Sequence, residues 1–319
     1  MPPSLVHSPS PLVPNAAECR QAVTIGCFDG LHLGHKALLQ RLRELACKQK
    51  LKTLVLTFDT YPAELFGHTG ERLIERDLKL NTLRSLVDEV TELHFTHEMA
   101  ALSSEQFIDR ILQPLGTRLL LMGYDHSFGR PQGETDQDYK HLGAQRGIDV
   151  VRAEPLLSQG APVSSTRIRN LLNTGRVSEI PPLLGTPYSL SGTVVRGRRI
   201  GRTIGFPTIN VRPSDMRLKW PRNGAYAVHV AIDGNIYSGM ANVGTRPTFG
   251  NSLETAIEVN LFDFDDTIYG EQVSIAFEHW LRPEEEFDSP KALAQQLVYD
   301  REQALDLLSG SPICEGSDV

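Results

Sequence analysis

Apolar runs of strand length alternate with longer stretches of helical periodicity through the first half of the chain. In chain order these segments are 22–28, 34–49, 53–58, 76–88, 90–95, 103–115, 118–123, 134–146 and 148–153. Strands that alternate with helices in this way are typical of a parallel sheet with crossover helices on its faces. We therefore predict that residues 21–185 form an α/β domain with a parallel sheet.

The pattern changes at "RVSEIPPLLGTPYSL", where three prolines interrupt a short helix and glycines become frequent. Alternating apolar and polar residues, which indicate antiparallel strands, then recur at 188–196, 255–263 and 272–281. Asp233-Gly234 separates two further alternating runs, as in a tight hairpin. We place a domain boundary near residue 185 and predict a small antiparallel β-barrel over residues 186–309.

The second domain ends in a predicted helix, "SPKALAQQLVYDREQALDLL", with Ser289 as N-cap and Pro290 as the first helical residue. Residues 1–20 are rich in proline and serine and residues 310–319 are polar, so we expect both ends to be disordered. The chain has no run of 18 apolar residues and no secretory signal at its start. We therefore expect a cytoplasmic protein with no membrane partner.

Composition narrows the class of partner. The 319 residues suffice for two hydrophobic cores, and 39 acidic against 32 basic residues give a net charge of −7. This acidic balance argues against a general nucleic-acid-binding protein and favours small molecules as partners. The four cysteines, at positions 19, 27, 47 and 314, form no C-x-x-C pair, which also fits a cytoplasmic protein.

The stretch "AVTIGCFDGLHLGH", residues 22–35, ends a strand at Phe28 and begins a helix at Gly34-His35. Free N–H groups at a helix N-terminus bind anions, and glycines let phosphates approach the backbone closely. His32 and His35 can donate hydrogen bonds to phosphate oxygens there, so the stretch favours a phosphate site. Two alternatives remain open: both histidines are ordinary turn residues, or they hold a metal, for which no third ligand lies at a suitable spacing.

Four stretches together resemble a known enzyme family. "GCFDGLHLGH" resembles the G-x-F-D-G-x-H-x-G-H signature of flavin adenylyltransferases, which belong to the H-x-G-H nucleotidyltransferases. "GYDHSFG" resembles their flavin-side loop, "SSTRIRNLLNTGRV" their second phosphate motif, and "GRTIGFPTINV" the signature of riboflavin kinases. The chain is thus identified as a member of the bifunctional riboflavin kinases/FAD synthetases. The resemblance implies a Rossmann-like nucleotidyltransferase domain followed by a β-barrel kinase domain.

The resemblance implies two consecutive reactions on small molecules. The second domain phosphorylates riboflavin with ATP to give FMN and ADP. The first domain transfers AMP from a second ATP to FMN, giving FAD and pyrophosphate. Mg²⁺ accompanies ATP, and riboflavin, FMN and FAD are substrates and products. We expect no nucleic-acid partner and a monomer or a weak oligomer.

For the first domain, the resemblance assigns nucleotide binding to a set around the two histidines: Gly26, Phe28, Gly34, Ser164, Ser165 and Thr166. Of Arg167 and Arg169, the family pattern favours Arg169 as the catalytic cation, beside His32 and His35. Asp125, on the loop after "RLLLMG", is the expected flavin contact. The alternatives are that S-S-T only caps a helix with exposed arginines, and that Asp125 only forms an Asx-turn.

Two features depart from the family pattern. Tyr61 in "TFDTYPAE" stands where relatives often have a histidine. The stretch "GRPQGET" after Gly129 is less basic than theirs and spaces its glycines differently. We expect both departures to affect flavin affinity and to leave the chemistry unchanged.

In the second domain, Gly197, Gly201 and Gly205 lie among basic residues and are assigned to the ATP phosphates. Thr208 and Asn210 alternate onto one face of an extended segment, so both oxygens can reach one Mg²⁺ ion. Glu258 lies between Ile257 and Val259 inside a strand. The resemblance makes it the base that accepts the ribityl hydroxyl proton.

Each of these assignments in the second domain has a simpler alternative. The glycines fit a basic hairpin loop without a ligand, and Thr208 and Asn210 fit an ordinary strand end. Glu258 fits a surface carboxylate on a strand. For the whole chain, two other functions stay open: a riboflavin kinase with an inactive adenylyltransferase domain, and a flavin-binding or RNA-binding regulatory protein.

Overall fold

The computed structural model describes residues 20–67, 71–129, 133–197, 200–247 and 253–310. The predicted disordered ends, residues 1–20 and 310–319, lie outside this range except for Arg20 and Gly310. The chain divides into two compact units. The first runs to Gly70 and resumes over Ile74–Val163, and the second combines Glu71–Leu73 with the chain from Ser164 onwards.

The first unit is built on a parallel five-stranded sheet with the order β3-β2-β1-β4-β5. Its strands are β1 Gln21–Ile25, β2 Lys52–Phe58, β3 Glu89–Leu93, β4 Thr117–Met122 and β5 Asp149–Arg152. A small ribbon follows, with β6 Leu157–Ser158 and β7 Ala161–Pro162. All five residues of β1 are buried, as expected for a strand covered on both faces. The predicted parallel α/β domain is confirmed.

Helices cover both faces of this sheet and enclose two apolar clusters. They are α1 Leu33–Gln49, α2 Pro62–Leu65, α3 Arg76–Leu86, α4 His97–Ala100, α5 Ser104–Phe107 and α6 Asp136–Ala144. A 3₁₀ turn at Asp29–Leu31 precedes α1, and a π-helical segment, Ile108–Leu112, continues α5. The leucines that recur along α1 at helical spacing, such as Leu39 and Leu42, are buried against the sheet.

The second unit contains a closed six-stranded barrel with the order β10-β11-β12-β9-β8-β13. Its strands are β8 Tyr188–Val195, β9 Ile209–Pro213, β10 Gly224–Ile232, β11 Asn235–Pro247, β12 Leu253–Leu261 and β13 Gln272–Pro283. Asp233 and Gly234 join β10 to β11 with φ of 48° and 78°, the left-handed pair that a tight two-residue hairpin requires. Every paired strand described in the barrel is antiparallel, as predicted.

The helices of the second unit are α7 Ser165–Thr174, α8 Pro181–Leu184, α9 Ile200–Thr203 and α10 Pro290–Ser309, with a 3₁₀ turn at Val177–Glu179. Ser289 caps α10, because its side chain accepts a hydrogen bond from the Ala292 N–H at 3.2 Å. Ala304 and Leu308 are buried in an apolar cluster with barrel residues. The predicted C-terminal helix is therefore confirmed. Within the described ranges, each helix is too short or too polar to cross a lipid bilayer.

The division between the units falls between Val163 and Ser164, before the boundary near residue 185 that the sequence predicts. Helix α7 belongs to the second unit because it packs beside the barrel. The Arg222 N–H donates to the Leu172 carbonyl at 2.9 Å, and Gly175, which ends α7, lies against Trp280. The division at residue 185 as a boundary of catalytic domains stays a prediction.

Replacing Gly175 by alanine tests this packing. Gly175 has a φ of +75°, and a Cβ there would lie 2.6 Å from Cε3 of Trp280. We expect Gly175→Ala to lower the free energy of unfolding of the second unit by about 2–4 kcal/mol, from left-handed strain plus overpacking. Gly234→Ala is the matched control, with a φ of +78° and no atom within 4 Å of the added Cβ, and should cost about 1 kcal/mol.

Urea unfolding followed by tryptophan fluorescence measures both variants, because Trp220 and Trp280 both lie in the second unit. Equal losses in the two variants would show that the contact between α7 and Trp280 contributes nothing.

Candidate active sites

The first candidate site lies at the carboxyl edge of the parallel sheet. Strand β1 pairs with β2 on one side and with β4 on the other, so the strand order reverses there. In open parallel sheets, ligands bind in the crevice outside the strands at such a reversal. The chain leaves β1 into the H-x-G-H stretch and leaves β4 into the loop of Asp125. The topology therefore brings both predicted motifs to one edge.

A tight turn connects β1 to α1. Phe28, Gly30 and Leu31 all have left-handed backbone angles, with φ of 51°, 78° and 42°. Two non-glycine residues in this region are unusual, and such strain accumulates at functional sites. Phe28 is buried, and its ring centroid lies 5.2 Å from that of His35. The predicted nucleotide-binding Phe28 thus supports the histidine directly. Gly26 donates its N–H to the Leu56 carbonyl at 3.0 Å.

His32 and His35 stack on each other with ring centroids 3.7 Å apart. His32 is the N-cap of α1, and its Nδ1 accepts a hydrogen bond from the His35 N–H at 3.2 Å. A neutral His32 therefore carries its proton on Nε2, which is a donor. Gly34 is closely surrounded, since a Cβ there would lie 3.1 Å from both His32 Nδ1 and the Val163 carbonyl.

His35 is held in its neutral form. Burial and then the neighbouring His32 keep the pKa of His35 well below its usual range, and its buried Nδ1 has no hydrogen-bond partner in the part of the chain that the structure describes. A neutral imidazole beside a helix N-terminus can donate one hydrogen bond to an incoming anion. The other interpretation was that His32 and His35 hold a metal ion. Among the described residues, no cluster of three His, Cys, Asp or Glu side chains could hold one.

Two residues support this turn from below, and neither was predicted from the sequence to do so. The fully buried Lys79 of α3 donates to Thr57 Oγ1 and to the Phe58 carbonyl, both at 3.2 Å, so it ties α3 to the end of β2. Tyr61, the departure from the family pattern, donates its hydroxyl to Asp29 Oδ1 at 3.3 Å. Its side chain therefore braces the F-D-G turn.

Asp125 lies at the exposed tip of a turn that follows β4. The turn is closed by a hydrogen bond from the His126 N–H to the Gly123 carbonyl at 3.2 Å, and the Tyr124 hydroxyl bonds Asp125. Burial, followed by the charge of Arg152, lowers the pKa of His126 to about 4. The Asp125 carboxylate is thus presented to solvent by a well-packed loop, at the strand end where a ligand contact was predicted.

The second phosphate motif begins α7. Ser164 is its N-cap, with a side chain that accepts from the Arg167 N–H at 3.3 Å, and this cap leaves open whether the motif also binds phosphate. Thr166 is exposed and Ser165 is half-buried. Arg169 Nε donates to the Glu71 carbonyl at 2.8 Å, which fixes the direction of that side chain. The roles of these residues toward ATP stay predictions.

The second candidate site lies on the barrel of the second unit. Glu258 of β12 pairs in register with Asn210 of β9 on one side and with Asn242 of β11 on the other. Directly paired residues share one face of a sheet, so a carboxylate stands between two amides. Thr208 Oγ1 lies 3.4 Å from Glu258 Oε2. The structure therefore brings together the three residues that the sequence assigned to metal and proton chemistry.

Neighbouring groups hold this cluster in place. Asn260, two residues beyond Glu258, donates to the Pro207 carbonyl at 2.6 Å and anchors the P-T-x-N segment. Asn242 donates to Glu284 Oε1 at 3.4 Å. Asn242, Asn260 and Glu284 were not among the residues predicted from the sequence motifs. For Asn260, the alternation E-V-N within β12 was the available signal, since residues two apart share a face.

The three glycines of the predicted phosphate loop have different surroundings. A Cβ on Gly197 would lie 2.1 Å from Asn210 Nδ2, and one on Gly201 would lie 2.1 Å from the Phe206 carbonyl. Gly205 has a φ of +86° and open space around it. Gly197 therefore lies closely against the Asn210 side chain and Gly201 against the Phe206 backbone, and their predicted contact with phosphates is untested.

The oxygen donors beside Glu258 fit a magnesium ion. Asn210 is buried and its Oδ1 has no hydrogen-bond partner among the described residues, and the Thr208 hydroxyl precedes it by two residues. Amide, hydroxyl and phosphate oxygens are ligands that Mg²⁺ accepts. A cavity of about 370 Å³ adjoins Thr208, lined also by Arg202, Phe264 and Asp265. It offers space for a ligand beside these oxygens.

Comparison with known proteins identifies two enzyme domains in this chain. The family model for FAD synthetase matches residues 15–167, and that for riboflavin kinase matches residues 184–308. The bifunctional riboflavin kinase/FMN adenylyltransferase of Listeria monocytogenes is 33% identical over 290 residues, covering 89% of this chain and 91% of that protein. The enzyme of the same name from Haemophilus influenzae is 36% identical, covering 89% and 92%.

A solved structure shares the whole architecture. The crystal structure of a protein described as a macrolide-efflux protein from Streptococcus pneumoniae is 32% identical, with a TM-score of 0.80, covering 92% of this chain and 97% of that one. The two matched domains, their order and the extent of the similarity lead to one conclusion. The chain belongs to the family of bifunctional riboflavin kinase/FMN adenylyltransferases.

Proposed function

We propose that the chain converts riboflavin to FMN with its barrel and FMN to FAD through the H-x-G-H site, using ATP with Mg²⁺ in both reactions. The observation that carries the proposal is that each matched domain contains a built polar cluster. The clusters are the stacked His32 and His35 in one unit and the row Asn210, Glu258 and Asn242 in the other. Family membership supports the pairing of these two reactions in one chain.

In adenylyl transfer, an FMN phosphate oxygen attacks the α-phosphorus of ATP, and the bond to pyrophosphate breaks. The attacking group is already an anion, so the protein has to position the reactants and stabilise charge. His32 and His35 donate hydrogen bonds to the phosphates at the start of α1, whose N-terminal N–H groups also favour anions. Ser164, Ser165, Thr166 and Arg169 supply further donors, and Asp125 contacts the flavin.

In riboflavin phosphorylation, the ribityl hydroxyl oxygen attacks the γ-phosphorus of ATP and ADP leaves. Glu258 accepts the hydroxyl proton, because it is the carboxylate in register with Asn210 and within reach of Thr208. Thr208 and Asn210 would hold a Mg²⁺ ion, whose charge would offset that of the ATP phosphates. Gly197, Gly201 and Gly205 shape the loop that covers the nucleotide.

Three further expectations accompany this function. A cytoplasmic location, a monomeric or weakly associating state and the lack of a nucleic-acid partner follow from the sequence arguments alone. The acidic net charge of −7 supports the last of them.

Replacing both histidines tests the phosphate site. We expect His32→Ala with His35→Ala to slow FAD formation from supplied FMN by about 10² or more, because donors aimed at the reacting phosphates are lost. Riboflavin phosphorylation should survive. His32→Asn with His35→Ala is the second variant, since asparagine keeps the N-cap of α1 and separates loss of donors from loss of the cap.

His141→Ala is the matched control, because His141 is an exposed histidine of α6. Adenylylation of FMN at the normal rate by both double variants would refute the phosphate role.

Glu258→Gln tests the kinase base. Glutamine keeps the size of the side chain but cannot accept the proton, so riboflavin phosphorylation should fall by about 10² to 10⁴. FAD formation from supplied FMN should stay close to normal, since its groups lie outside the barrel. Glu271→Gln, at an exposed position before β13, is the control. Retained kinase activity would show that Glu258 is not the base and that another carboxylate accepts the proton. Loss of both activities would contradict the proposal that the two reactions use separate sites.

A further inference from the structure

The side chain of Arg152 lies beneath the loop that carries Asp125. Arg152 ends β5, the edge strand of the parallel sheet, and pairs in register with Met122, the last residue of β4. The loop of Asp125 begins at the next residue, Gly123. An arginine at the end of one strand can therefore reach the loop that leaves its neighbour.

The guanidinium of Arg152 binds both ends of the turn at Asp125. Its Nη1 donates to the Gly123 carbonyl at 2.7 Å and to the His126 carbonyl at 2.8 Å, with a longer contact of 3.4 Å to the Tyr124 carbonyl. The same Gly123 carbonyl accepts the N–H of His126, which closes the turn. Three carbonyls therefore converge on one cation, and Asp125, within the same turn, is exposed to solvent.

A carboxylate fixes the guanidinium itself. Arg152 Nε donates to Asp136 Oδ1 at 2.6 Å, and Asp136 is the first residue of α6. The far end of the loop is held separately, because the Phe128 carbonyl accepts from Tyr139 at 3.1 Å and from Ser104 at 3.0 Å. Arg152 thus secures the half of the loop that contains Asp125, and the other two side chains secure the rest.

The contacts of Arg152 differ from an ordinary surface salt bridge. The Arg152 side chain is only 22% exposed, and charge-assisted bonds to partly buried carbonyls are stronger than exposed ion pairs. Burial and the Arg152 charge together also keep His126 neutral, with a pKa of about 4. Lysine cannot reproduce the arrangement, because an ammonium lacks the planar fork that serves the carbonyls and Asp136 together.

We propose that Arg152 is a positioning residue for FMN in adenylyl transfer, acting by holding the turn that presents Asp125 to the flavin. The proposal rests on the flavin role proposed for Asp125. An exposed turn without this clamp samples several conformations, and FMN must then order it on binding. Affinity for FMN should fall, and the chemical step, which depends on groups at the ATP phosphates, should change little.

Kinetics of FAD formation from FMN measure this effect in the full chain. We expect Arg152→Met to raise the KM for FMN about tenfold, with kcat changed less than about threefold and the KM for ATP unchanged. Arg152→Lys should give a smaller rise in the same parameter. Riboflavin phosphorylation by the same variants should be unaltered, because Arg152 belongs to the first unit, and the preserved kcat for FAD formation would show that this unit is folded.

Arg146→Met is the matched control. Arg146 is similarly covered, contacts Asp109 and Glu105 and donates to the Leu142 carbonyl, yet none of its described contacts is with the Asp125 loop. Its KM for FMN should match that of the unmodified protein.

Hydrogen exchange should become faster in peptides spanning residues 123–126 in Arg152→Met, and remain normal in Arg146→Met.

A double-mutant cycle with Asp125→Ala separates this proposal from the function on which it rests. If Arg152 acts through Asp125, the double variant should be no worse than Asp125→Ala alone, so the two effects are not additive. A raised KM for FMN in Asp125→Ala, with a normal KM in Arg152→Met and Arg152→Lys, would overturn the role of Arg152 only. Fully additive effects would also overturn it. A normal KM in Asp125→Ala would refute the flavin role of Asp125 and this proposal with it.

Discussion

Parallel pairing of β1 with strands on both of its sides positions the site proposed for adenylyl transfer. Because β1 runs parallel to β2 and to β4, the chain leaves all three strands at the same edge. The crossover helices then place the start of α1 and the loop of Asp125 around one crevice. This pairing aligns the ends of the strands. The left-handed turn at Phe28, the stacked histidines and the contacts of Arg152 all lie at these ends. A change of register would separate them.

In the barrel, the register of antiparallel strands aligns the polar residues of the second site. Pairing of β9, β12 and β11 sets Asn210, Glu258 and Asn242 side by side on one face. Closure of the sheet leaves the row no freedom to slip, since every strand is bonded on both sides. The carboxylate and amides proposed for proton transfer and metal binding are therefore positioned by backbone hydrogen bonds rather than by flexible loops. Two unrelated folds thus place polar groups by strand pairing.

Much of this architecture was readable in the sequence because its signals are local. Alternation of apolar residues predicted the strands, and Ser289-Pro290 predicted the start of α10. The H-x-G-H and P-T-x-N stretches predicted which residues would meet. Lys79 and Arg152 were not predicted, since each looks like an ordinary charge within its own segment. Their bonds go to carbonyls at least 21 residues away in the sequence, which no local pattern encodes.

The two proposed sites imply that a single chain performs two reactions in sequence. Incubation of the purified protein with riboflavin, ATP and Mg²⁺, followed by chromatography of the flavins over time, tests this order of reactions. We expect FMN to appear first and FAD then to accumulate at its expense. FMN without FAD would show an inactive adenylyltransferase domain, and the absence of both products would contradict the enzymatic account.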